Sequence, residues 1–67
     1  MKTFGQRLRE LREGENLTAK ELGKRINVSD AAIINWENGT YDIRSRYLIR
    51  IAKYFHVTTD YLLGLDN

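Results

Sequence analysis

The sequence predicts an all-α fold, and three observations carry that expectation. Apolar residues recur at helical spacing along most of the chain, capping residues stand ahead of the apolar stripes, and proline is absent. Leu, Glu, Lys and Arg, which lose little side-chain freedom in a helix, are abundant, and runs of β-branched residues are few. With 67 residues and 7.9 kDa the chain reads as a single domain, residues 1–67, near the lower size limit for an unaided core. It has no cysteine, so neither a disulfide nor a thiolate zinc site can assist, and zero Cys fits a reducing cytosol. No apolar run approaches the ~18 residues of a membrane span, and no signal-peptide core appears. A cytoplasmic protein without metal or cofactor is expected.

The first helix covers about residues 3–14. Phe4, Leu8 and Leu11 fall at i, i+4 and i+7 and form one stripe, with Arg7, Arg9, Glu10 and Glu13 on the other faces. Gly14 and Asn16 end it, Asn16 as a left-handed residue just past the last turn. The second helix opens at Thr18, where Thr18 and Glu21 have capping-box spacing and Leu17 can staple onto Leu22. It runs to about Arg25 with Leu22 and Ile26 turned inward. Gly23 in its middle costs ~1 kcal/mol relative to Ala, acceptable if a neighbouring helix crosses closely there. Ile26-Asn27-Val28 forms the turn, with Asn27 suited to a left-handed backbone.

Ser29 caps the third helix, which ends near Asn38-Gly39. Ile33, Trp36 and Glu37 share its inner face, whereas Asp30, Ala31, Ile34, Asn35 and Asn38 look outward. A loop over residues 39–43 leads to a fourth helix at about 44–55, whose inner stripe is Leu48, Ile51, Ala52 and Phe55. Thr58 caps a last short helix, Asp60 favours its positive end, Tyr61, Leu62 and Leu63 supply apolar surface, and Gly64 stops it. The result is a five-helix domain. Its final Gly64-Leu65-Asp66-Asn67 fits either a natural end or the start of a linker.

Residues 18–37 thus form two helices joined by a tight turn, a helix-turn-helix whose second helix can enter a DNA major groove. The net charge of +2 is only mildly basic, but its distribution is informative. Arg44, Arg46, Arg50 and Lys53 face Asp42 alone between residues 40 and 55, just beyond the candidate recognition helix. Catalysis is not expected: there is one histidine, His56, no cysteine and no carboxylate pair suggesting a cleft. Nothing stands at metal-ligand spacing from His56 either.

Four outward residues are candidates for contacts with bases. Asn35 can bond adenine N6 and N7 together, Ala31 and Ile34 can pack on thymine methyls, and Asp30 can accept from cytosine N4. Each has a plainer role: Asp30 as a first-turn anion favouring the helix dipole, Ile34 as a contact for another protein. Phosphates would be held by Thr18 with the N–H groups of Ala19 and Lys20 at a helix start, by Asn38, Thr40 and Tyr41 in the loop, and by Arg44 and Arg46. Solvated surface charge is the alternative for the two arginines. Tyr54, Tyr61, Leu62, Leu63 and Leu65 concentrate apolar surface near the C-terminal end. Part of it must close the core, and Tyr61, Leu62 and Leu65 are the expected homodimer contact.

The chain resembles the phage-repressor-type helix-turn-helix family, to which the lambda repressor and Cro belong. The likeness is carried by Phe4-Gly5-Gln6-Arg7-Leu8-Arg9-Glu10-Leu11-Arg12, Leu17-Thr18, Glu21-Leu22, Val28-Ser29, Ile33 and Trp36-Glu37-Asn38-Gly39. It continues in Leu48-Ile49-Arg50-Ile51-Ala52-Lys53 and Asp60-Tyr61-Leu62-Leu63-Gly64. The resemblance implies a five-helix fold and a bacterial or phage repressor that binds palindromic double-stranded operators as a dimer. It also implies that Arg12 and Glu37 pair between the first and third helices, and an inward Glu37 would need such a cation. Departures from the family pattern are Ala19 for a phosphate-clamping glutamine, Gly23 for alanine, Asn27 for glycine and Ile43 for proline. The competing expectation is a protein-interaction module of the same fold, such as an antitoxin or partner-binding subunit.

Overall fold

The computed structural model describes residues 3–65; Asp66 and Asn67 of the C-terminal tetrapeptide lie outside the described residues. Among the described residues five helices follow one another: α1 Phe4–Gly14, α2 Ala19–Ile26, α3 Asp30–Asn38, α4 Ser45–Phe55 and α5 Thr59–Leu63. Hydroxyl side chains start four of them. Thr18 and Glu21 form the expected capping box, Ser29 accepts from the Ala32 N–H, and Thr58 accepts from the Tyr61 N–H. A second capping box, Thr3 with Gln6, starts α1 and adds to the expected caps. Only α4 begins without a side-chain cap; Arg44, expected inside that helix, is its N-cap residue.

All five helices stop in the same way. A left-handed residue (Asn16, Asn27, Gly39, His56 or Gly64) follows the last turn. The next N–H then reaches back five residues to a carbonyl: Leu17 to Arg12, Val28 to Gly23, Thr40 to Asn35, Val57 to Ala52 and Leu65 to Asp60, all at 2.8–3.1 Å. This Schellman closure satisfies carbonyls that the helix itself leaves open and turns the chain sharply enough to pack short helices together. Three of the five left-handed positions are Asn or His rather than Gly, a tolerable strain for Asn.

Every helix contributes to one core. Leu8, Leu22, Ile33, Ile51 and Leu62 are fully buried at its centre, and Leu17, Ile26, Trp36, Leu48, Ala52 and Phe55 complete it. Helix α3 packs on both α1 and α2, α4 packs on α2 and α5, and α5 closes back onto α1. Trp36 and Tyr47 carry the core outward as a tilted aromatic pair with ring centroids 5.6 Å apart. The homodimer contact expected of Leu62 does not stand. Leu62 has no exposed surface, so it belongs to the core and cannot meet a second subunit. Tyr61 is half-covered by Arg7, whose guanidinium lies 4.4 Å from its ring centroid and donates to its carbonyl at 2.8 Å.

Arg50 also differs from its place in the basic surplus. Its Nη1 donates to the Ile26 carbonyl at 2.8 Å, its guanidinium lies 5.2 Å from the Tyr47 ring centroid, and its side chain is half-buried. It therefore closes the C-terminal end of α2 from α4, where a cation also complements the helix dipole. Arg50→Ala is expected to lower unfolding free energy by about 1.5 kcal/mol, the worth of a charge-assisted bond, in urea denaturation. No helix among the described residues is long and apolar enough to cross a membrane.

Candidate nucleic-acid interface

Two arrangements seat the inner side of α3. In the first, Gly5 of α1 lies directly beneath the C-terminal turn of α3. A Cβ at Gly5 would run into the Glu37 carbonyl oxygen and stand 2.7 Å from that of Trp36. Only a residue without a side chain permits this approach. In the second, Arg12 grips Glu37 with both arms, Nε to Oε2 at 2.6 Å and Nη2 to Oε1 at 2.9 Å. Its remaining Nη1 donates to the Leu17 carbonyl at 2.8 Å, tying in the α1–α2 connection. The two side chains are only 14% and 7% exposed, so little water competes with the pair. The hydrogen bond to Glu37 raises the Arg12 pKa above the usual guanidinium value against the opposing effect of burial.

The turn ahead of α3 is fixed in a related way. Gly23 lies under the Val28 carbonyl, whose oxygen would be 2.5 Å from an added Cβ, and the start of α3 is close behind at Ser29 and Asp30. The missing side chain is thus filled by the turn and the first residue of α3, as a close crossing requires.

With its inner side held, α3 presents the opposite face to solvent. Asp30, Ala31 and Asn38 are exposed, Ile34 is 47% exposed, and Asn35 is half-buried at the edge of that face. Among the described residues neither the Asn35 nor the Asn38 carboxamide hydrogen-bonds within the chain. Asp30 is different: its Oδ1 accepts from the Ala31 N–H at 2.9 Å, which suits a first-turn anion and leaves one oxygen outward.

The flanking groups divide. Thr40, Tyr41, Arg44 and Arg46 are exposed, Tyr41 to 64%, and continue from the C-terminal end of α3 to the start of α4. At the start of α2, Thr18 and Lys20 are exposed while Ala19 packs partly on the core. The Thr18 N–H is taken by Glu21 Oε1 at 2.9 Å, and the Thr18 hydroxyl oxygen accepts from the Glu21 N–H at 3.1 Å. What remains for an anion is the hydroxyl proton and the N–H groups of Ala19 and Lys20. The Glu21 carboxylate lies beside them, its pKa held below 4.5 by the Thr18 N–H and then by the hydroxyl. The start of α2 therefore has fewer free donors than an uncapped helix end.

Sequence reasoning missed Gly5 and Arg50 as positioning residues. Each acts on a partner more than 20 residues away, and no local pattern announces it. No group of three His, Cys, Asp or Glu side chains among the described residues could hold a metal ion.

A helix-turn-helix family model matches residues 8–62, most of the chain, including the Arg12–Glu37 pair and the whole of α3 but not Gly5. The chain belongs to the helix-turn-helix family. Within that family it is of the phage-repressor type. It is 33% identical over 65 residues to the HTH-type transcriptional regulator ImmR of Bacillus subtilis, covering 97% of this chain and 51% of that protein. It is 42% identical over 61 residues to the HTH-type transcriptional activator BcrR of Enterococcus faecalis, covering 91% and 30%. With repressor protein C2 of Salmonella phage P22 the identity is 32%, over 94% of this chain and 29% of that one. The chain thus spans from 29% to 51% of the length of these relatives. The crystal structure of the P22 c2 repressor with a synthetic operator superposes with a TM-score of 0.91 at 30% identity, covering 98% of this chain and 100% of that one.

Proposed function

We propose that this helix-turn-helix chain is a DNA-binding transcriptional regulator, a repressor that binds a palindromic operator as a homodimer in the cytoplasm of a bacterial or phage-infected cell. The observation that carries the reading is the asymmetry of α3. One side is clamped by Gly5 and by the Arg12–Glu37 pair, and the other faces outward with carboxamides that make no hydrogen bond among the described residues. The superposed P22 repressor, solved with an operator, supports the same use of the fold. In this reading α3 enters the major groove with Ala31, Ile34 and Asn35 toward the bases and Asp30 at the edge. Thr18, Ala19, Lys20, Asn38, Thr40, Tyr41, Arg44 and Arg46 then meet phosphates. A dimer would place the two copies of α3 about one DNA turn apart, ~34 Å. Its contact falls to Leu63, 44% exposed, and Leu65, 66% exposed, with Tyr61 beside them.

Titration of a selected duplex with salt tests the proposal. Log affinity should fall linearly with log salt at ~0.9 per phosphate neutralised. Arg44→Ala with Arg46→Ala should flatten that slope by about 2 and weaken binding to all sequences alike. An unchanged slope removes both arginines from the phosphate contacts. A second reading, a protein-interaction module of the same fold, draws on the exposed Ile34 and on the lack of lysine and arginine across α3. Binding to selected duplexes no tighter than to random ones would favour it.

A further inference from the structure

We infer that α3 reads A·T pairs and makes no guanine contact, so that the two jobs of a DNA-binding surface are divided in this chain: α3 discriminates and its flanks hold. The inference rests on the DNA-binding proposal above. In the major groove guanine offers two acceptors, O6 and N7, and the side chains that satisfy both are the donor-only cations arginine and lysine. Residues 29–38 contain neither. The nearest preceding cation, Arg25, is engaged elsewhere, its Nη1 bonded to the Tyr54 hydroxyl at 3.1 Å.

The outward stripe of α3 runs Ala31, Ile34, the half-buried Asn35 and Asn38, at i, i+3, i+4 and i+7. Its first two members are apolar. The one major-groove feature that rewards an apolar group is the thymine methyl. The third is a carboxamide with no hydrogen-bond partner among the described residues. A carboxamide presents a donor and an acceptor side by side, which matches adenine N7 and N6; set against guanine, its oxygen would face a second acceptor. Asp30 is the one outward α3 group that favours a G·C pair, through cytosine N4. It stands at the end of the stripe, with one oxygen already held by the Ala31 N–H.

Affinity must then come from outside the stripe. A reading face without a cation releases no counterions, so the salt-dependent part of binding is left to flanking cations such as Lys20, Arg44 and Arg46. Reading and holding are carried by different residues, and each can be perturbed separately.

Selection of duplexes from a random pool by the 67-residue chain tests the inference. The expected half-site has A·T pairs at the adjacent positions facing Ala31, Ile34 and Asn35. Replacing a contacted thymine by uracil removes only its methyl and should weaken binding about fourfold, the worth of one buried carbon. In Ile34→Ala, checked for native helix content by circular dichroism, that discrimination should disappear at one of the positions. Guanine selected at those positions, or uracil bound as well as thymine at all of them, overturns the inference and leaves the DNA-binding proposal standing. A pool in which no sequence is enriched overturns the DNA-binding proposal, and the inference falls with it.

Discussion

Glu37→Gln is expected to lower the unfolding free energy by about 3 kcal/mol, measured by urea denaturation at neutral pH. The substitution keeps the shape of the side chain but leaves the Arg12 guanidinium, 14% exposed, without its counter-charge. Deprotonation cannot relieve it. The Arg12 pKa is raised in the native protein, so the stabilisation it contributes is fully present at neutral pH and is lost only in strong alkali, as pH rises through the raised value. Since a core of this size rarely supplies more than about 3–5 kcal/mol, most of the stability should go. Replacing both partners by apolar residues, Arg12→Met with Glu37→Leu, should recover much of the loss, because no buried charge then lacks a partner. Full recovery would show that the pair orients α3 rather than adding net stability. A single variant as stable as the parent would show that the pair is solvated.

Gly5→Ala is expected to cost about 2 kcal/mol in the same measurement, in spite of the ~1 kcal/mol that alanine gains over glycine inside a helix. The obstacle is main chain on both sides, the carbonyl oxygens of Trp36 and Glu37, which cannot turn aside as a flexible side chain would. Either α1 lifts away from α3 or the last turn of α3 distorts. Gly14→Ala supplies the control: it lies in the same helix with nothing within 4 Å of the new Cβ, and should be stabilising by roughly 0.5–1 kcal/mol. Equal gains at both positions would mean that α1 and α3 are not in close contact.

The contrast between these two glycines shows where the sequence is legible and where it is not. Local chemistry reads well. Thr18 with Glu21, Ser29, Asn27 and Gly39 all mark helix ends through interactions spanning a few residues, and the structure has them so. The inner stripe of α4 is equally plain, because its four apolar residues are all buried. Contacts between distant residues are not written locally. Gly5 and Gly14 look alike in sequence, and only the placement of α3 over one of them separates the two. Arg50 looks like a surface cation until α2 is found to end against it. Leu62 illustrates the limit for short helices: across the five residues of α5, three consecutive apolar side chains leave the inward one undetermined, and packing selects Leu62. On the outward face of α3 the residues were visible from periodicity. That the Thr18 amide is already bonded to Glu21 follows from the same capping box that announced the helix.

Because Gly5 meets main-chain oxygens, the mounting of α3 is indifferent to which side chains the helix carries on its far side. Ala31, Ile34 and Asn38 add nothing to the buried centre, so the vocabulary displayed there can drift without the domain losing its shape. Substitutions on that far side should be close to neutral for folding, whereas a β-carbon at position 5 distorts the seat itself.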